Sequence, residues 1–140
     1  MSDQESVLAS LSKEAEIVRL YLEASMTPDP TLAATYVDVN VVITFTGGSV
    51  FNHPSGPTSI NKERYRWVKK RLGRFDECQT DDGIVVYSVG TLYGEWPDGE
   101  AFEGNRYIDR FLIQNGKIVT MDVWNDSAER LLIKNGAKKD

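Results

Sequence analysis

The chain has 140 residues, of which 41% are hydrophobic and 26% charged. This length and composition are typical of one globular domain, and we predict a single domain over residues 1–140 with a flexible tail over 133–140. The formal net charge is -5 and no basic run exceeds three residues, which disfavours nucleic-acid binding. No apolar stretch approaches the length of a membrane span, and the N-terminal residues are acidic, so we expect a cytoplasmic protein with no membrane partner.

Metal and thiol chemistry have little support in the composition. The chain contains one cysteine, Cys78, and one histidine, His53. A lone cysteine cannot form an intrachain disulfide, and the two residues together supply too few ligands for an ordinary zinc site. The sequence therefore predicts no metal and no cofactor. Any chemistry is expected to run on carboxylates, tyrosines and arginines.

Helices are predicted first along the chain. Apolar residues recur at three- and four-residue steps over 6–26, which indicates an amphipathic helix. Prolines follow it, and a short helix is predicted over 32–36. The β-branched residues of 39–46 then predict a strand.

A loop rich in glycine and proline is predicted over 47–58, and it contains Phe51 and His53. Loops of this length often cover a site, so both residues are candidates for ligand binding. His53 has two interpretations: a general base with a pKa near neutrality, or an exposed turn residue. A third helix is predicted to run to Leu72 and to end at Gly73.

The rest of the chain has the pattern of strands. We predict strands over 74–80, 83–95, 102–114 and 117–126, followed by a short helical turn over 127–132. The predicted fold class is α+β, with three N-terminal helices packed on a curved sheet, mixed or antiparallel, that encloses a pocket.

The pair Asn115-Gly116 predicts a two-residue β-hairpin turn and thereby sets the register of the last two strands. In that register Asp109 lies directly opposite Asp122. Two carboxylates this close raise the pKa of one of them, which would give an acid and a base near neutral pH. The alternative is structural: one aspartate reaches solvent or pairs with an arginine, such as Arg106 or Arg64.

A second turn, at 96–100, predicts a three-residue hairpin loop that places Tyr87 opposite Asp109. One face of the sheet would then gather the candidate site. The candidate catalytic residues are Asp109, Asp122, Tyr107 and Tyr87, and Trp124 and Phe111 are candidates for the apolar, ligand-binding wall.

The chain resembles the nuclear transport factor 2-like superfamily, in its SnoaL-like (ketosteroid isomerase-like) branch. The resemblance covers nearly the whole chain, and its most specific segments are residues 105–111 and 122–129. It implies a cone-shaped fold whose helices cover a bent sheet around an apolar pocket, and a homodimer formed through the outer sheet face. The superfamily includes isomerases, cyclases, dehydratases and epoxide hydrolases that need no cofactor, as well as non-catalytic binders.

Two functions stay open from the sequence. The first is an enzyme that acts on a small, largely apolar metabolite by acid–base chemistry, with the aspartates moving protons and the tyrosines stabilising negative charge. The second is a non-catalytic, dimeric ligand-binding or accessory protein whose aspartates are structural. The sequence does not identify the ligand in either case.

Overall fold

The computed structural model describes residues 11–136, which form four helices and one six-stranded sheet. The helices are α1 (Lys13–Met26), α2 (Pro30–Ala34), α3 (Ser55–Arg64) and α4 (Ser127–Lys134). The strands are β1 (Val37–Thr44), β2 (Val50–Phe51), β3 (Trp67–Thr80), β4 (Gly83–Glu95), β5 (Ala101–Gln114) and β6 (Lys117–Asn125).

The amphipathic character of α1 explains both its formation and its position. Ser12 caps the helix, since its hydroxyl oxygen accepts a hydrogen bond from the backbone N–H of Ala15 at 3.1 Å. The apolar stripe of α1, which includes Val18 and Leu22, is buried in the core. The predicted helix is thus confirmed over 13–26, while its residues 6–10 lie outside the described part of the chain.

Two short elements begin two residues before their predicted positions. α2 precedes the predicted 32–36, because the Asp29 side chain accepts a hydrogen bond from the Leu32 N–H at 2.9 Å and starts the helix there. β1 likewise precedes the predicted 39–46. The type of both elements agrees with the prediction.

The sheet is mixed. Its strands are ordered β2-β1-β6-β5-β4-β3, and β1 runs parallel to β6 while the other neighbours are antiparallel. The α+β class is confirmed, and the sheet is of the mixed kind, with one parallel pair beside an antiparallel meander.

The predicted third helix is wrong in its second half. α3 ends at Arg64, and Tyr65 already has extended backbone dihedrals. From Trp67 the chain pairs with β4 along the whole of β3. The apolar positions Val68 and Leu72, four apart, fit a helix, but their even spacing equally fits one face of a strand. α3 also follows β1 and β2, so the helices do not all precede the sheet.

Both predicted hairpin turns are confirmed. Asn115 and Gly116 have φ of 50° and 75°, as the two-residue turn requires, and Gln114 pairs with Lys117. In the other turn, Gly99 has φ of 89° and its N–H donates to the carbonyl oxygen of Trp96 at 2.9 Å.

A bulge in β6 overturns the predicted register beyond the Asn-Gly turn. Ile113 pairs with Ile118 as predicted, but the next pair is Leu112 with Thr120, so Val119 is an extra residue. Every later residue of β6 therefore changes face. The predicted opposition of Asp109 and Asp122 is wrong, because the partner of Asp109 is Val123 and that of Asp122 is Arg110.

A second bulge, in β5, displaces Tyr87. The predicted register holds next to the turn, from Glu95 with Ala101 to Tyr93 with Glu103. Gly104, with φ of 81°, is then the extra residue, and from there on the register shifts by one. Tyr87 therefore pairs with Arg110 instead of Asp109, and the residue opposite Asp109 is Ser88.

The two bulges decide which side chains share a face of the sheet. We call the face that carries Asp109 the inner face; it also carries Val86, Ser88, Tyr107, Phe111, Met121 and Val123, and all of these residues are buried. The opposite, outer face carries Tyr87, Ile108, Arg110, Asp122 and Trp124. The hydrophobic core lies between the inner face and the helices.

The C-terminal helix α4 extends past its predicted end at residue 132 and reaches Lys134, two residues into the segment expected to be a flexible tail. Within residues 11–136, no helix has the length and apolar character needed to cross a membrane.

Candidate functional site

A cavity of about 510 Å³ lies between α1, α3 and the inner face of the sheet. This volume is within the range of small-molecule sites in proteins. Its sheet wall includes Lys70, Leu92, Met121 and Val123, and α1 contributes Tyr21. The cavity therefore combines an apolar wall with a small number of polar groups.

The most unusual group beside this cavity is the carboxylate of Asp109. Asp109 is fully buried, and one of its oxygens, Oδ2, forms an ion pair with the ammonium group of Lys70. The other oxygen, Oδ1, is buried without a hydrogen-bond partner among the described residues. Because burial disfavours the charged form, the pKa of Asp109 is raised above its ordinary value, although Lys70 partly offsets this effect.

Tyr107 supports the same ion pair from one side. The Lys70 ammonium lies 4.3 Å from the centre of the Tyr107 ring, a distance at which the ring face attracts a cation. The Tyr107 hydroxyl shares a 2.9 Å hydrogen bond with Ser88, and burial raises the pKa of this hydroxyl. Tyr107 is therefore a neutral hydrogen-bonding group at ordinary pH.

Lys70, and not Asp109, contacts the cavity. Lys70 is among the residues of the cavity wall, with 18% of its side chain exposed, whereas Asp109 lies behind it. A bound molecule would meet the ammonium group first. The arrangement can thus donate a hydrogen bond or a proton from Lys70, with Asp109 as the group that balances its charge.

A second polar cluster closes the core between α3 and α4. The hydroxyl of Tyr65 donates to Ser127 Oγ, and Asn105 Nδ2 donates to the same oxygen at 3.2 Å. The Arg64 guanidinium lies 5.6 Å from the ring of Phe45. Since the hydrogen bonds of this cluster join the start of α4 to the sheet, we assign it a structural role.

No group of three or more histidine, cysteine, aspartate or glutamate side chains in the described residues is arranged to hold a metal ion.

The chain was compared with known proteins in sequence and in structure, and the structural similarity identifies its fold. No protein-family model matches the chain, and no curated protein matches it in sequence. The chain is similar in structure to a nuclear transport factor 2-like protein of unknown function from Burkholderia pseudomallei, with a TM-score of 0.71 and 15% identity over 86% of this chain and 96% of that one. It is also similar to a putative polyketide cyclase from Xanthomonas campestris, with a TM-score of 0.69 and 15% identity over 92% and 96% of the two chains.

The chain has the nuclear transport factor 2-like fold. A third similar structure, from Catenulispora acidiphila, is a hypothetical protein with a ketosteroid isomerase-like fold in complex with trimethylamine. Its TM-score is 0.64, with 13% identity over 78% of this chain and 84% of that one. These likenesses confirm the resemblance at the level of the fold and assign no activity.

On this nuclear transport factor 2-like sheet, three of the predicted site residues lie together on the inner face. They are Asp109, Tyr107 and Phe111, all of which are buried. Phe111 is a core residue whose ring packs edge-on against Tyr21 at 5.9 Å. The predicted location of these three residues on one face is therefore confirmed, and their chemical roles stay predictions.

Three other predicted site residues lie on the outer face, away from the cavity. Asp122 is half-buried and its carboxylate lies 3.8 Å from the guanidinium of Arg110. Tyr87 lies across from Arg110 on the neighbouring strand, and Trp124 is 51% exposed. The prediction that these residues share a site with Asp109 is wrong. Each bulge shifts the pairing register by one residue, which places these side chains on the outer face.

The two loop residues lie near the cavity without lining it. His53 is exposed, and its Nδ1 atom accepts a hydrogen bond from the Ser55 N–H at 3.1 Å, at the start of α3. This contact supports the turn interpretation. Phe51 belongs to β2 and packs against the core, and its ring lies so close to Gly56 that a Cβ there would be 2.3 Å away.

Sequence reasoning missed Lys70 and Tyr21. Lys70 falls within the predicted third helix, and only the correct assignment of β3 turns it inward. Tyr21 follows Val18 by three positions on the apolar stripe of α1, so the periodicity did contain its signal. Ser88 had no signal of its own, since it reaches Tyr107 only in the shifted register.

Proposed function

We propose that this chain binds a small, largely apolar molecule in the cavity beneath α1 and α3, and that the Lys70–Asp109 pair performs acid–base chemistry on it. The observation that carries the proposal is the buried carboxylate of Asp109, with one oxygen paired to a cavity lysine and the other unpartnered. Most buried side-chain polar atoms have a hydrogen-bond partner, so the unpartnered Oδ1 is uncommon, although Asn105 Oδ1 and Arg64 Nη1 share this property. Buried ionisable groups with displaced pKa values are typical of functional sites.

The proposed chemistry is proton transfer at a carbon beside a carbonyl group. A raised pKa makes Asp109 a stronger base than an ordinary carboxylate, and it can accept such a proton when the Lys70 side chain turns aside and the ligand reaches the carboxylate. Lys70 would stabilise the negative charge that develops on the carbonyl oxygen, because an ammonium in a partly buried site interacts strongly with an oxyanion. The Tyr107 ring holds the Lys70 ammonium in place, and no step of this chemistry requires a cofactor.

The test begins with the natural protein and a library of aromatic and alicyclic carbonyl compounds, screened by thermal shift. Bound compounds are then incubated in D2O, and NMR follows the exchange of hydrogens beside the carbonyl. We expect Asp109→Asn to bind the same compounds and to slow exchange by about 100-fold or more. Asp122→Asn, a matched change on the outer face, should exchange like the natural protein.

Equal exchange by the natural protein and Asp109→Asn would contradict catalysis by Asp109. It would leave ligand binding intact, so the two parts of the proposal are tested separately.

A non-catalytic binding protein is the second candidate, and one observation favours it. Lys70 separates Asp109 from the cavity, so the carboxylate does not line the space that a ligand would occupy. In this case Asp109 holds Lys70 in position and the ammonium only binds. The expected result is then binding without exchange in every variant.

We also propose a homodimer through the outer sheet face. Ile108 and Trp124 are cross-strand partners there, 39% and 51% exposed, near the middle of a six-stranded sheet. Arg110 and Asp122 beside them carry opposite charges, so a second copy can pair with the same surface in reverse. Sedimentation equilibrium should give a dimer for the natural protein and a monomer for Trp124→Arg, and a monomeric natural protein would contradict the proposal.

A further inference from the structure

The charges around the cavity are unevenly distributed. The chain as a whole is acidic, with 21 aspartates and glutamates against 16 lysines and arginines. The described residues that line the cavity nevertheless include Lys62, Arg66, Lys69 and Lys70. No aspartate or glutamate is among the lining residues. The charged residues that line this cavity are therefore all cationic, and two of them, Lys70 and Arg66, pair with carboxylates that are not part of the lining.

We infer that the ligand of this cavity is an apolar molecule with an acidic group, such as a carboxylate, which binds at the end of the cavity formed by the C-terminal part of α3 and the start of β3. This inference rests on the proposed small-molecule function and adds the class of ligand. It is independent of whether Asp109 is catalytic.

Lys62 and Arg66 are the cations available to such a group. Lys62 has no ion pair among the described residues, and it lies in the last turn of α3. Arg66 approaches Glu95 only at 3.4 Å, with its side chain 60% exposed, so water screens this contact and it holds little of the arginine's charge. Both cations can therefore turn toward an anion without losing a strong partner.

The fixed negative charge of the ligand is not assigned to Lys70, because the Asp109 carboxylate already balances the charge of this ammonium, which keeps N–H donors for a carbonyl oxygen. Lys69 also belongs to the lining, but it alternates with Lys70 along β3 and is exposed, so its ammonium group is directed to the other side of the strand and is not counted as an anchor. The acidic group would thus bind at the end of the cavity that carries Lys62 and Arg66. The apolar body of the ligand would pack against the sheet wall, on residues such as Met121 and Val123.

The cavity walls strengthen the effect of these charges. A cleft lined by charges of one sign concentrates ions of the opposite sign, because its low-dielectric walls focus the electric field. The same field repels cations. The cavity should thus discriminate between an acid, its neutral amide and the corresponding amine even when their apolar bodies are identical.

The test compares matched compounds on the natural protein: 2-naphthylacetic acid, 2-naphthylacetamide and 2-(2-naphthyl)ethylamine, and the corresponding biphenyl and indole series. Two-dimensional amide NMR titrations give the dissociation constant and show whether the shifted amides belong to the cavity. We expect the acids to bind about tenfold more tightly than the amides, and the amines most weakly. Added salt should reduce this preference.

The decisive variant is Lys62→Gln/Arg66→Gln, with Lys13→Gln/Arg74→Gln as a control of equal charge change outside this cavity. In the first variant the dissociation constants of the acids should come within about twofold of those of the amides. The control should keep the tighter binding of the acids. An equal loss in both would overturn the inference, since the preference would then follow net charge alone.

Two further outcomes separate this inference from the proposed function. If acids and amides bind equally with shifts at cavity amides, the inference is overturned while the apolar binding site stands. If no compound in any series shifts the cavity amides, both the inference and the proposed small-molecule function are contradicted.

Discussion

Asp109 and Asp122 lie on adjacent strands of one sheet, yet they have little in common. Asp109 on the inner face is fully buried, is paired with Lys70 and has a raised pKa because of its burial. Asp122 on the outer face is half-buried and lies 3.8 Å from Arg110, which is itself partly exposed. The same residue type thus supports a candidate reaction on one face and an ordinary surface contact on the other.

The chemistry of a carboxylate in this sheet thus depends on the face that carries it. The two aspartates differ although their strands are neighbours. In the monomer, water reaches the outer pair and weakens its interaction, whereas the inner pair is held in a medium of low dielectric constant. The inner face should therefore be far more sensitive to substitution than the outer face.

The largest effect should follow from removing an inner-face ring. Phe111 is fully buried and packs against Tyr21, so Phe111→Ala leaves a cavity and should lower the free energy of unfolding by about 3–5 kcal/mol. Ile108→Ala on the outer face removes a side chain that is 39% exposed in the monomer, and it should cost the monomer about 1 kcal/mol. Urea denaturation measures both, and similar costs would contradict the division of the sheet into two unlike faces.

The next effect tests the two ion pairs. Lys70→Gln leaves the Asp109 carboxylate buried without a cation, and we expect it to lower the free energy of unfolding by about 3 kcal/mol near neutral pH. Arg110→Gln removes the outer partner of Asp122, and a partly exposed pair of this kind contributes about 1 kcal/mol or less.

The cost of Lys70→Gln should also diminish in acid, because protonation of Asp109 removes the unpaired charge. A cost that stays the same at low and neutral pH would show that Lys70 stabilises the fold by packing alone.

Much of this sheet could be predicted from the sequence, since alternation and turn chemistry are local. Three of the four long strands, the second half of β3 and both hairpin turns were found in this way. The boundary between α3 and β3 was missed because residues 65–72 fit both periods. Only pairing with β4 decides between them, and pairing is a long-range contact.

Only the part of the candidate site that lies on a single strand, β5, was predicted correctly. Tyr107, Asp109 and Phe111 alternate on β5, so they share a face whatever their partners are. Their neighbours on β4 and β6 depend on the bulges. A glycine inside a strand pattern indicates a bulge, so the bulge at Gly104 could be predicted. The bulge at Val119 could not, because valine is common in regular strands.

A smaller and pH-dependent effect is expected for Asp109→Asn, because the amide can still accept a hydrogen bond from Lys70. The pKa of Asp109 is higher in the folded than in the unfolded protein, mainly through burial. Its stabilising contribution is therefore complete below the unfolded pKa, about 4, and is lost as the pH rises through the folded pKa. The unfolding free energy of the natural protein minus that of Asp109→Asn should fall with rising pH.

Asp126→Asn provides a control of opposite sign. The Arg106 guanidinium, which hydrogen-bonds to Asp126, lowers the pKa of that carboxyl. Its contribution is present above the unfolded pKa and is lost as the pH falls through the folded pKa, so the corresponding difference should rise with pH. Urea denaturation at a series of pH values measures both, and slopes of equal sign would contradict the assignment for Asp109.

The smallest effect concerns the bulge that separates the two faces on β5. Gly104 has φ of 81°, and nothing lies within 4 Å of a Cβ built there, so Gly104→Ala would cost only backbone strain, about 1 kcal/mol. Gly104→Asn should cost less, because asparagine tolerates positive φ better than alanine does. If alanine is accommodated without loss, the backbone at this position does not need positive φ, and the one-residue shift that keeps Tyr87 on the outer face has another cause.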